Sequence, residues 1–369
     1  MLKESETAGR IDESLDLVYR PVLLRLSDTS DKQTYDSLVA EKAVKVAPDT
    51  IYAQLKELIR SRNASVQLHE SDYSKLIAAH LDGQNLSDYG VWAHYPWNDT
   101  LVHILDEEEF FELRTTRNRV KITWEEQQSL RLKKIGIVGL SVGQSIALTL
   151  AMERTCGELR LADFDTLELS NLNRLRSGIH NLGMRKTVIA AREIAEIDPY
   201  LKVSIFNDGL TADNMDAFFT EGGKLDLFVE VCDSLDIKVS SRFKARSLHI
   251  PVVMDTNDRG MLDIERFDTE PDRSVFHGLI DEFVDSNGLK PIEPAKRFAL
   301  LSALVSFDSL SERMKLSMSE INKTITSWPQ LASSVVLGGA ITTDICRRIL
   351  LGQHQASGRY YVDLEQLIN

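Results

Sequence analysis

Cysteine is scarce: the 369 residues hold three, Cys156, Cys232 and Cys346. Standing so far apart, they form no CxxC pair, which excludes a structural zinc site of that kind and a disulfide framework; a reducing, cytoplasmic setting is expected. Uncharged apolar runs are short, and none approaches the roughly 18–20 residues that cross a bilayer, so no membrane partner is expected. The opening MLKESETAGRIDESLDL has no apolar core behind a basic stretch, and no secretory signal is expected from it. Positive charge is in deficit, with 43 Lys and Arg against 56 Asp and Glu and a net charge of −13. That balance argues against nucleic acid as a partner, so an anion site has to be built locally. What remains is 43% hydrophobic and 27% charged, an ordinary globular composition whose length suggests about two units.

Residues up to about 110 read as a mixture, with helix signals at IYAQLKELIR from Ile51 and at YSKLIAAHL. Glu107, Glu108 and Glu109 read as a solvated helix start. Thr123 followed by acids starts another helix, expected to end near Lys134. From Lys134 short β-branched runs alternate with helical periods: IGIVG, LRLAD, KVSIF, LDLFVEV and PVVMDT as strands, SIALTLAMER, KTVIAAREIAEI, ADNMDAFF and IKVSSRFKARSL as helices. Such alternation predicts an α/β fold, Rossmann-like, whose mostly parallel sheet carries helices on both faces and binds ligands beyond the carboxyl ends of its strands. MLDIERF is a candidate antiparallel or edge strand. Beyond residue 268 the pattern is irregular until a last helix across SSVVLGGAITTDICRRILLG, capped at Gly352. The expected division is a mixed N-terminal region over 1–116, the α/β domain over 117–268 and a C-terminal, partly helical segment over 269–369.

The first strand-to-helix turn reads Gly139-Leu140-Ser141-Val142-Gly143-Gln144. Glycines there let backbone amides approach phosphate oxygens at a helix N-terminus. Serine and glutamine occupy the second and third glycine positions of the strict GxGxxG pattern, so the turn alone leaves an ordinary crossover as the alternative. Asp163 ends the second strand, 24 residues after Gly139, near the spacing of an acid that holds ribose hydroxyls, and Asp165 follows. A nicotinamide enzyme would need no more than this. The chain adds Asn171, Asn173 and Arg174 beyond that strand and Lys186 at the next helix start, amides and cations suited to the outer phosphates of a triphosphate. Asp233, past the LDLFVEVC strand, is placed to hold Mg²⁺ between phosphates.

GLSVGQS, ADFDTLELSNLNR, GMRKT, CDSLDIK and IPVVMDT together resemble the adenylation domain of the ThiF/MoeB/ubiquitin-activating (E1-like) superfamily over roughly residues 117–268, in a bacterial ThiF-type branch with an extra N-terminal region. The resemblance implies a domain that binds ATP with Mg²⁺ and adenylates a carboxylate, typically the C-terminus of a ubiquitin-like or sulfur-carrier protein. It places Asp163 and Asp165 at the ribose, Asn171, Arg174 and Lys186 at the phosphates and Asp233 at Mg²⁺. It also likens Arg119 to an arginine that family dimers insert into the neighbouring subunit's site, which implies a homodimer. The zinc cysteines of many members are missing, and Cys346 does not stand where thioester-forming members keep their nucleophile. A nucleotide-binding or interaction module without catalysis, and a nicotinamide oxidoreductase, are the competing readings.

Overall fold

From Lys134 onward the alternating pattern closes into one seven-stranded sheet. The computed structural model describes residues 17–41, 44–285 and 288–368; the first sixteen residues of the opening stretch read above lie outside them. Two units divide between Trp124 and Glu125. In the first, strands β1 (Val22–Leu24), β2 (Lys45–Val46), β3 (Val91–Tyr95) and β4 (Thr100–Ile104) pair in the order β1-β3-β4-β2. Helix Ile51–Arg62 lays Ile51, Leu55, Leu58 and Ile59 into its core, an i, i+4, i+7, i+8 stripe. The acid run begins helix Glu107–Arg114 behind the N-cap Asp106. Glu109 differs from the expected solvated residue: it accepts from the Tyr89 hydroxyl at 2.7 Å and stands 2.7 Å from His80 Nε2, so that turn faces the protein.

The second unit orders its sheet β13-β10-β9-β8-β5-β6-β7, from β5 (Lys134–Val138), β6 (Glu158–Ala162), β7 (Lys202–Phe206), β8 (Leu227–Glu230), β9 (Val252–Asp255), β10 (Met261–Glu265) and β13 (Gly358–Tyr361), with β11 (Val284–Asp285) and β12 (Gly288–Leu289) as a separate hairpin. β5 to β9 run parallel, while β10 pairs antiparallel with both β9 and β13. The strand over MLDIERF is therefore interior, and β13 takes the edge. From β5 the chain winds outward through β6 and β7, and from β8 it winds the opposite way to β9. Right-handed crossovers then put the connecting helices on opposite faces of the sheet. The fold is α/β with a mostly parallel sheet flanked by helices.

Two boundaries differ from expectation. Helix Trp124–Leu130 stops before Lys134, which is already in β5, pairing with Glu158 and donating its backbone N–H to Asp226 Oδ2 at 2.9 Å. The irregular stretch after residue 268 contains helices Pro294–Val305 and Glu312–Glu320; proline is well tolerated in the first turn of a helix, so Pro294 opens one rather than breaking it. Helix Ala332–Leu350 packs on helix Leu140–Glu153, and Gly339 makes this possible, since a Cβ there would strike Ser145.

Candidate nucleotide site

The sheet reverses its winding between β5 and β8, and ligands of such sheets bind in the crevice at that switch. Gly139 follows β5 there with φ +87°, and a Cβ would stand 2.6 Å from the Val231 carbonyl, so only glycine lets the turn pass under the end of β8. Helix Leu140–Glu153 begins at once, and Gly143 brings its first turn against Ile137 and Val231. The two departures from three glycines are both built in. Ser141 Oγ accepts from Lys186 Nζ at 3.1 Å. Gln144 is buried and donates to the Arg176 carbonyl and to Glu193 Oε2, both at 3.0 Å.

Asp163 is buried, and its carboxylate ties the turn together: Oδ2 accepts from Leu140 N–H at 2.6 Å and Oδ1 from Asp165 N–H at 2.7 Å. Burial pushes its pKa above the usual carboxylate value, against the pull of those amides and of Lys186. Lys186, buried at the start of helix Lys186–Ile197, reaches 2.7 Å to Asp165 Oδ2, whose carboxylate is half exposed. Ser141, Lys186 and Asp165 thus form one hydrogen-bonded group at the mouth of the turn.

Asn171 sits in the short 3₁₀ turn Leu169–Asn173 and uses its Oδ1 to accept from Glu168 N–H at 3.1 Å. Asn173 accepts from Arg174 Nη1 at 2.9 Å and donates to the Gln330 carbonyl at 2.7 Å. Arg174 is held between two influences. Burial lowers its pKa and the charge of Asp233 raises it, and its Nε is buried with no partner among the described residues. Asp233 is exposed beyond the end of β8. Arg119 belongs to the first unit, where Nη2 donates to Glu112 Oε1 at 3.5 Å. The thiol of Cys232, beside Asp233, is pushed well up by burial and by Glu230 and is a poor nucleophile.

Sequence reasoning missed the next strand end. Asp255 closes β9 with 4% of its surface exposed; its Oδ1 accepts from Asn257 N–H at 3.0 Å, and its Oδ2 has no donor among the described residues. Burial pushes this carboxyl up to about 7. Asp255 and Asp233 both line a cavity of about 590 Å³ that reaches Val142 of the glycine turn. Among the described residues, no cluster of three or more His, Cys, Asp or Glu could hold a metal ion, and no helix is long and apolar enough to cross a membrane.

Residues 115–257 match the ThiF family. Over 278 residues the chain is 45% identical to an uncharacterized protein, MT1398, of Mycobacterium tuberculosis (strain CDC 1551 / Oshkosh), a match covering 75% of this chain and 38% of that protein. Over 122 residues it is 29% identical to ubiquitin-like modifier-activating enzyme 5 of Drosophila willistoni, covering 31% of this chain and 30% of that protein. The chain thus spans less than two fifths of the length of these curated relatives. Among solved structures, E. coli tRNA N6-threonylcarbamoyladenosine dehydratase, TcdA, determined in complex with ATP, aligns at TM-score 0.47 and 17% identity over 68% of this chain and 98% of its own. E. coli MccB aligns at TM-score 0.46 and 13% identity over 85% of each chain.

Proposed function

We propose that the ThiF-family domain at residues 115–257 makes this chain an ATP-dependent adenylyltransferase that activates a carboxylate as its acyl-adenylate. One observation carries the reading: a glycine turn at the sheet's switch point is faced by a buried lysine, by an arginine with an unsatisfied Nε and, beyond the next strand, by a free-standing aspartate. A nicotinamide dinucleotide would leave Arg174 and Asp233 without a task. Three phosphates use both.

In this scheme Gly139 lets the chain approach the phosphates and the helix amides beyond Leu140 cradle their oxygens, while Asp163 fixes the turn through the Leu140 N–H. Lys186 and Arg174 balance the charge that builds on the phosphates as the α-phosphorus is attacked. A carboxylate oxygen of the acceptor forms the new bond to that phosphorus. The bond to the bridging oxygen breaks, and pyrophosphate leaves with the electron pair. Asp233 is the residue that would hold Mg²⁺, whose charge would offset that of the phosphates when bound; one carboxylate plus phosphate oxygens is a donor set this ion accepts. The chain then works by positioning and electrostatics, with no protein nucleophile. On the same reading the acceptor is the C-terminus of a ubiquitin-like or sulfur-carrier protein or another acid, and Arg119 serves a partner subunit's site in a homodimer.

Calorimetric titration tests this. MgATP should bind the wild-type protein, lose affinity when Mg²⁺ is omitted, and bind Asp233→Ala less tightly at an unchanged melting temperature. A protein that binds NADH in preference to MgATP, or an Asp233→Ala variant with wild-type Mg²⁺-dependent affinity, refutes the assignment.

A further inference from the structure

The cavity beside Asp233 has a chemical bias of its own. Helices Pro294–Val305 and Glu312–Glu320, the link between them and the start of helix Ala332–Leu350 wall it with Leu301, Leu304, Leu310, Met314 and Leu337. Its charged lining holds five carboxylates, Asp233, Asp255, Asp258, Asp363 and Glu365, against three cations, Lys238, Arg259 and Arg313. One of those cations is committed outside the lining, Lys238 to Glu230 at 2.9 Å, and Arg259 pairs within it with Asp363 at 2.5 Å, which leaves Arg313 against Asp233, Asp255, Asp258 and Glu365. Asp258 is likewise used, accepting from the N–H and the hydroxyl of Ser311.

Asp255 and Asn257 are different. Both line the cavity, they are 4% and 9% exposed, and Asp255 Oδ2 and Asn257 Oδ1 are buried acceptor oxygens with no hydrogen-bond partner among the described residues. Both face Gly338, where a Cβ would collide with the Asp255 carboxylate, so the glycine leaves the space these oxygens occupy. A buried carboxylate without a partner is costly, and natural folds keep such groups mainly where a site needs them. Rotation about the terminal torsion of a carboxylate or an amide is soft, so either oxygen can turn towards a ligand, Asp255 exchanging the bond that its Oδ1 accepts from Asn257 N–H. Two acceptors above an aliphatic wall, in a cavity with surplus negative charge, call for a donor that is cationic and carried on an apolar stem.

We propose that this pocket binds an aliphatic primary ammonium group at Asp255 and Asn257, so that the acid activated at the adjoining glycine turn is an amine-bearing one. The second half of this statement rests on the adenylation reading, whereas the first half does not. An acceptor of this class would lay its stem against Leu304 and Leu337 and extend its carboxylate towards Asp233 and Val142, which line the same cavity.

The test uses the full chain without nucleotide and three probes of equal length, hexylammonium, hexanol and hexanoate, followed by saturation-transfer NMR. Hexylammonium should bind at least about tenfold better than hexanol, the difference one charge-assisted hydrogen bond supplies. Asp255→Asn, which keeps the shape and removes the charge, should erase that preference. Ser334→Trp, which fills the cavity, should abolish binding and carries the test should Asp255→Asn fail to fold. Absence of hexylammonium binding, equal binding of hexanol, a preference that survives in Asp255→Asn, or binding undisturbed in Ser334→Trp overturns the proposal. MgATP binding is measured separately: its failure with ammonium binding intact removes the adenylation reading and the second half of this proposal but leaves the ammonium site, and the reverse result removes this proposal alone.

Discussion

Replacing Asp255 by Asn should stabilise the protein, and the gain should depend on pH. In the folded chain the carboxyl titrates at about 7, against an ordinary value of 3.8, because it is buried without a cation. An acid whose folded pKa is raised binds its proton more tightly in the native state. Below pH 4 both states hold the proton and the residue costs nothing. Between pH 4 and 7 the unfolded chain releases it while the folded chain does not, so stability falls by about 1.4 kcal/mol per pH unit. Above pH 7 the loss levels at roughly 4 kcal/mol, the product of that slope and the difference between the two values. Asn carries no charge to bury. The variant should therefore match the wild type near pH 4 and exceed it by up to about 4 kcal/mol at pH 8. Urea unfolding at a series of pH values measures this directly, with Trp328, which lines the same cavity, reporting on the second unit. Parallel stability curves for the two proteins from pH 4 to 8, or a variant less stable at pH 8, would refute the account of Asp255 as an uncompensated buried acid.

Two further outcomes follow from the geometry. Gly139→Ala puts a Cβ at φ +87° and 2.6 Å from the Val231 carbonyl; it should cost at least about 2 kcal/mol in thermal unfolding and weaken MgATP binding, and a variant with wild-type melting would show the turn to be less constrained than described. Asp198→Ala removes the carboxylate 3.2 Å from Arg154, in a pair whose side chains are both at most 2% exposed; unfolding free energy should drop, by up to about 3–5 kcal/mol, and a loss below about 1 kcal/mol would mean the pair is not closed to water.

Much of the second unit was legible because its signals are local. A β-branched run, a glycine turn and an apolar helix follow one another in sequence as in space, so β5, the turn and helix Leu140–Glu153 could be read together. Lys186 and Asp165 could be read because each stands at a strand or helix end of known polarity. Asp255 could not: its unusual state depends on Gly338, some eighty residues later, and nothing near Asp255 in the sequence announces that contact. Nor could β13, a four-residue strand whose pairing of Tyr361 with Met261 spans a hundred positions. Asp263 is illegible for the same reason. It reads as a polar residue in MLDIERF, yet it is buried in β10 against Arg359 at 2.5 Å and His277 at 3.1 Å. Helix Pro294–Val305 was hidden by proline, whose position in the first turn makes it a helix starter.

The walls of the cavity come from residues as far apart as Val142 and Glu365. A ribosome delivers the glycine turn, Asp163, Lys186 and Asp233 before the residues between Leu301 and Glu365 that close the cavity. Loop-closure entropy makes such distant pairings the slow part of folding. If that crevice holds ATP as proposed, the nascent chain has its parts well before it can recognise what the crevice would act upon, and selectivity is built after binding.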